Sequence, residues 1–212
     1  MYVEIYVDFG GVILVVIGLC GGSGSGKTTV SALFAKRHFH IINADEIYHN
    51  ITSYPSACLA ELSCEFGREI LTDTGALNRA ALRKIVFADR ERLSRLNSIT
   101  HRHVLDAVRK EISENTEAVQ GFVVDAPLLF ESGFDKECTA TVAVVADKET
   151  RIARIIGRDG ISYADAERRI SNQLSDSALS QRCDYVIVNN STVESLEACI
   201  DKIINEINNK NT

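Results

Sequence analysis

Tryptophan is absent from this sequence, methionine occurs once, and proline occurs only at Pro55 and Pro127. So little proline leaves no room for a polyproline segment or a proline-rich linker. Cysteine is present, but never in a C-x-x-C pair. Cys20, Cys58, Cys64, Cys138, Cys183 and Cys199 are scattered without metal-ligand spacing, and read as reduced, mostly buried thiols of a cytoplasmic protein. A basic excess is also missing. With 23 Lys and Arg against 29 Asp and Glu, the net charge is −6 and the pI about 5.4. That balance argues against a nucleic-acid-binding surface and confines any anion site to a local one. Long apolar runs are lacking too. Glu4 and Asp8 interrupt the apolar N-terminal stretch and no basic segment precedes it, so neither a signal peptide nor a membrane span is expected.

What remains is the composition of an ordinary globule, 45% hydrophobic and 25% charged, with 212 residues to bury one core and carry an insertion. Its organising stretch is Gly21-Gly22-Ser23-Gly24-Ser25-Gly26-Lys27-Thr28-Thr29, which fits the P-loop pattern G-x-x-x-x-G-K-[ST]. The apolar, β-branched run Val12–Ile17 precedes it as a buried strand would. Val30, Leu33 and Phe34 follow at helical spacing. Glycines let the backbone wrap a phosphate, and the helix start adds partial positive charge. Lys27 suits the β- and γ-phosphates of ATP, and the Thr28 hydroxyl suits Mg²⁺.

Further strands are expected over residues 38–43, 121–125, 141–146 and 185–189, with a last helix over 193–207. Asp45 follows the end of the first of these, residues 38–43, where open α/β sheets place ligands. Asp125 ends an apolar run in the Walker-B manner and is a candidate Mg²⁺ partner; a polar strand end is the plainer alternative. Residues 58–66, 79–87 and 90–114 carry helical periods, and Thr72–Gly75 reads as a turn. Arg151, Arg154 and Arg158 fall at i, i+3 and i+7 on one helical face, with Arg168 and Arg169 on the next segment, which suggests an arginine lid over a phosphate. The fold class is therefore α/β, a P-loop NTPase resembling nucleoside-monophosphate kinases, with a five-stranded parallel sheet. The expected division is a core of residues 12–44, 119–150 and 184–212, a helical insertion over 45–118 and a lid over 151–183. Residues 1–11 form an extension in which the alternation of Val3, Ile5, Val7 and Phe9 suggests a short strand.

No N-K-x-D motif marks a GTPase and no L-S-G-G-Q signature marks a cassette ATPase. A small-molecule kinase needs a P-loop, a base, an acceptor-binding insertion and a charge clamp, and each has a candidate here. Several blocks resemble the dephospho-CoA kinase family: Gly18 to Thr29, Asn43-Ala44-Asp45, Phe66-Gly67, Gly75 to Leu82, Phe87, His101, Pro127-Leu128-Leu129-Phe130-Glu131, Arg154, Arg158, Gln173, Asp184 and Asn189. The resemblance implies transfer of the ATP γ-phosphoryl group to the ribose 3′-hydroxyl of dephospho-CoA, with Mg²⁺, the last step of coenzyme A synthesis. It implies Asp45 as general base and Arg154 and Arg158 as lid arginines. Asn189 falls in the adenine-contacting segment, and Arg79 and His101 in the acceptor region. The P-loop residues Gly22 to Thr29 hold ATP. A helix N-cap is the structural alternative for Asp45. The chain departs from the family pattern at Asn43 (for Asp), His49 (for Arg), Arg102 (for Pro), Arg151 (for Gln) and Ser191 (for Gly). A nucleoside or nucleotide kinase on the same fold, and a nucleotide-binding regulatory protein without kinase activity, are the alternative functions.

Overall fold

The computed structural model describes residues 8–9, 12–53, 55–87 and 89–210. The chain divides into two compact units, one running up to Ile42 and resuming at Asn115, the other formed by Asn43–Glu114.

The first unit is built on strand β3 (Val15–Cys20), in which all six residues are buried. Its flanking partners, β5 (Gly121–Asp125) and β6 (Ala140–Val145), are buried along their whole length as well. Continuous apolar runs are what a strand covered on both faces requires. With β4 (Phe39–Asn43) and β7 (Tyr185–Val188), these strands make a five-stranded parallel sheet in the order β4-β5-β3-β6-β7. On one face, Val15, Ile17 and Leu19 join Val30, Leu33 and Phe34 of α1 (Lys27–Ala35) and Ile200, Ile203 and Ile207 of α9 (Val193–Lys210) in a single core. Period-two alternation turns Gly18 to the other face. A Cβ there would sit 2.8 Å from Cys138 Sγ and 2.9 Å from Leu129.

The expected first strand, 12–17, is shifted. Val12–Ile13 form β2, paired antiparallel with β1 (Asp8–Phe9), and the central strand starts only at Val15. The register supplies the reason: Val15 lies opposite Gly121, where β5 begins, so no neighbouring parallel strand reaches residues 12–14. Of the alternating residues expected to form an N-terminal strand, Phe9 is in β1, whereas Val3, Ile5 and Val7 lie outside the described residues.

Between β6 and β7 run α6 (Lys148–Asp159), α7 (Tyr163–Ser171) and α8 (Asp176–Arg182). Ser162 and Ser175 cap the last two, accepting the N–H groups of Asp165 and Ala178.

The second unit is helical: α2 (Ala44–Ser53), α3 (Ala57–Phe66), α4 (Arg79–Phe87) and α5 (Arg90–Glu114), with a 3₁₀ turn at Arg68–Ile70. Cys58, Leu62, Phe66, Ile70, Leu82, Val86 and Ile99 form its own core. The turn at residues 72–75 closes through the Gly75 N–H on the Thr72 carbonyl. Gly75 has φ +80°, a conformation that favours glycine.

Phe34 is fully buried and meets Phe39 edge-on, ring centres 5.5 Å apart. Phe34→Ala is expected to destabilise the protein by about 3–5 kcal/mol through the cavity it leaves, measured by urea denaturation.

Candidate active site

The loop Gly21–Gly26 leaves the C-terminal end of β3 and enters α1 at Lys27. Gly24 (φ +77°) and Gly26 (φ +93°) need the left-handed region, and the surroundings exclude a side chain at both. A Cβ on Gly24 would lie 2.6 Å from the Arg151 carbonyl oxygen, and one on Gly26 would overlap the Asn189 amide. The first N–H groups of α1 have no intrahelical acceptors, and the helix dipole adds positive character to them. Lys27 Nζ donates to Asp125 Oδ1 at 2.6 Å, both side chains largely shielded from water. Asp125 closes β5, next to β3 in the sheet, and its second oxygen accepts from the Ser31 hydroxyl at 3.5 Å. Thr28 is exposed in the first turn of α1. The Ser25 hydroxyl is buried and has no hydrogen-bond partner among the described residues.

The loop's carbonyls are held from outside. Arg151 of α6 is buried. Its Nε donates to the Ser23 carbonyl at 2.9 Å, its Nη1 to Asp176 Oδ1 at 2.7 Å and its Nη2 to Gln173 Oε1 at 3.3 Å. Gln173 itself accepts the Ser23 N–H at 2.8 Å and donates to the Ser23 hydroxyl. One turn along α6, Arg154 donates to the carbonyls of Gly24 and Ser25 at 3.3 Å and to that of Asn189 at 3.0 Å. Buried Asn189, just beyond β7, donates its Nδ2 to the Ser25 carbonyl at 2.8 Å.

The arginine face read from the sequence thus divides into two environments. Arg151 and Arg154 grip the loop. Arg158 is mostly exposed and forks onto Asp159, at 2.7 and 2.9 Å. Its hydrogen bond, joined by that of Arg169, holds the Asp159 carboxyl down at about 2. Spacing put all three on one face, but not the acceptors each would meet.

In the helical unit Asp45 lies in the first turn of α2 and is exposed. The cap of that helix is Asn43, whose Oδ1 accepts the N–H groups of Asp45 and Glu46 at 3.0 and 3.1 Å. The Asn that departs from the family pattern therefore does the capping, a task for which Asn and Asp serve equally well. His49 is one turn beyond Asp45, on the same helical face. Arg79, the first residue of α4, donates to Thr52 Oγ1 at 3.0 Å, approaches His49 Nδ1 at 3.3 Å and stacks over the Tyr48 ring at 5.4 Å. His101 is half-buried within α5. The grouping of Tyr48, His49 and Thr52 around Arg79 was not visible in the sequence, because residues 44–53 carried no recognised helical period. The sequence marked a helix start here with Asp45 as its N-cap alternative; the structure moves that cap to Asn43 and places Asp45 in the first turn.

Asp176→Ala leaves the buried Arg151 guanidinium without its counter-charge. It is expected to cost about 3 kcal/mol in chemical denaturation and, by loosening the grip on Ser23, to weaken ATP binding in calorimetry.

The family model described as dephospho-CoA kinase matches residues 15–195. A dephospho-CoA kinase of Fusobacterium nucleatum subsp. nucleatum is 38% identical over 194 residues, covering 92% of this chain and 99% of the relative. One from Corynebacterium glutamicum is 37% identical, covering 90% of this chain and 96% of its own length. Among solved structures, TT1252 from Thermus thermophilus superposes with a TM-score of 0.76 at 28% identity, over 91% of this chain and 97% of its own. A P-loop whose lysine is held by the carboxylate ending the adjacent strand, in a chain matched along nearly its full length, identifies this protein as a member of the dephospho-CoA kinase family.

Proposed function

We propose that the chain transfers the γ-phosphoryl group of ATP to the ribose 3′-hydroxyl of dephospho-CoA, giving coenzyme A and ADP. The observation that carries this reading is the Lys27–Asp125 pair at 2.6 Å, within a P-loop whose chain matches that family over residues 15–195. In this reading Gly22 to Thr29 wrap the phosphates with backbone N–H groups. Lys27 passes from Asp125 to the β- and γ-phosphates, neutralising charge that grows as the phosphoryl group moves. Arg154 keeps the loop carbonyls turned away from the anion, and its position beside the loop suits a contact to phosphate once a nucleotide is bound. Arg158 and Asn189 complete the nucleotide set.

Asp45 is assigned the general base that accepts the proton of the attacking hydroxyl, an assignment supported by its exposure and its place at the start of α2. Arg79 and His101 are assigned to the acceptor. His49, in contact with Arg79, takes the place where the family pattern has a second cationic residue.

The donors suit Mg²⁺. The Thr28 hydroxyl and the Asp125 carboxylate are hard oxygen ligands, and among the described residues no group of three or more His, Cys, Asp or Glu forms a cage. That is the arrangement of an ion carried largely by phosphates and water. When bound, the ion would supply charge neutralisation for the transferring phosphoryl group. No helix among the described residues is long and apolar enough to cross a membrane, and the reading places the protein in the cytoplasm with no nucleic-acid partner.

A coupled ADP-release assay is expected to show turnover with dephospho-CoA. Turnover with a nucleoside but none with dephospho-CoA overturns the reading. Lys27→Ala is expected to lower kcat by about 10²–10³. Asp45→Asn should lower kcat by about 10²–10⁴ with ATP binding unchanged, and near-wild-type turnover in that variant rejects the base assignment.

A further inference from the structure

Cys20 and Cys183 are 163 residues apart in the chain, yet their sulfurs are 3.4 Å apart, in hydrogen-bond contact. Cys20 is buried at the end of β3 and is followed directly by Gly21, the first residue of the phosphate loop. Cys183 is half-buried where α8 ends. The phosphate loop chemistry described above uses neither thiol. The pair is asymmetric. The hydrogen bond from Cys20, then one from Thr141, holds the Cys183 thiol below its usual range, whereas the same bond and burial push Cys20 up. A more acidic, more accessible thiol against a buried second one is the arrangement of an attacking and a resolving cysteine.

We propose that Cys20 and Cys183 are a modification site, forming a reversible disulfide at the foot of the phosphate loop in the presence of hydrogen peroxide and thereby weakening ATP binding. The Cys183 thiolate attacks one peroxide oxygen, breaking the O–O bond. It becomes a sulfenic acid, and the released hydroxide takes up the proton the thiol had lost and leaves as water. Cys20 then attacks the Cys183 sulfur. The S–S bond forms, the S–O bond breaks, and the departing hydroxide leaves as water with the Cys20 proton. Two thiols and one peroxide give one disulfide and two waters.

The consequence for the loop follows from what each cysteine is attached to. Bonding requires the sulfurs to close from 3.4 Å to about 2.05 Å. At one end this draws on the residue preceding Gly21. At the other it draws on α8, whose first residue, Asp176, anchors the Arg151 that holds the Ser23 carbonyl. A close-packed interior transmits such a shift instead of absorbing it.

The test takes the reduced full chain, exposes it to hydrogen peroxide, removes the excess with catalase, maps peptides by mass spectrometry and measures ATP affinity by calorimetry. The expected result is a Cys20–Cys183 linked peptide, ATP binding about fivefold weaker or more, and full recovery with dithiothreitol. Cys183→Ser should bind ATP like the reduced protein before and after peroxide, and Cys183→Ala, which offers neither thiol nor hydroxyl, should behave alike. Three outcomes overturn the proposal: no linked peptide, a linked peptide with unchanged ATP affinity, or an equal loss of affinity in the Cys183 variants.

Discussion

A loop that binds phosphate through its backbone N–H groups must keep those groups available, so it has to be held by its carbonyls. This protein meets that constraint with two arginines and an asparagine. Arg151 takes the Ser23 carbonyl, Arg154 those of Gly24 and Ser25, and Asn189 that of Ser25 again. All three grips are made by donors; of the loop's own N–H groups, that of Ser23 is spent on Gln173 Oε1 at 2.8 Å and that of Ser25 on the Gly22 carbonyl at 3.1 Å. Buried guanidinium is costly without a counter-charge, so Arg151 requires Asp176, and α8 is thereby tied to the loop. The glycines answer the same demand. Where Arg151 and Asn189 come so close, any Cβ on Gly24 or Gly26 would collide with them.

The sheet brings three chain-distant segments to the same end, with β6 lying between β3 and β7. The C-terminal ends of β3, β5 and β7 deliver the loop, Asp125 and Asn189, and the order β4-β5-β3-β6-β7 sets β3 in the middle with its neighbours buried around it. The helical unit solves its own problem with a separate core, and its α2 and α4 join Arg79 to His49, Thr52 and Tyr48. A guanidinium stacked on an aromatic ring and bonded to a hydroxyl keeps its orientation.

Strand positions and most helix spans were legible because they rest on local patterns: continuous apolar runs for β3, β5 and β6, and the 3.6-residue period for α4, α5 and α9. The α2 helix was legible only at its start, through the N-cap alternative for Asp45, and its cap proves to be Asn43, two residues earlier. The strand start was displaced from residue 12 to residue 15 because the register of β5, a distant segment, decides where pairing begins. Arg158 looked equivalent to Arg154 by spacing, yet its fork closes on the adjacent Asp159. Periodicity assigns a face but not a partner.

The sequence by itself determined the phosphate loop, its lysine, the carboxylate that ends an apolar run, and the blocks that mark the dephospho-CoA kinase family. These are short-range facts, written in residues a few positions apart. The tertiary structure alone decided that Asp125 holds Lys27, that Arg151 is a brace anchored by Asp176, and that Cys20 meets Cys183. Each of those pairs joins residues from different elements, 98, 25 and 163 positions apart, and only the folded sheet and its packed helices bring them within reach.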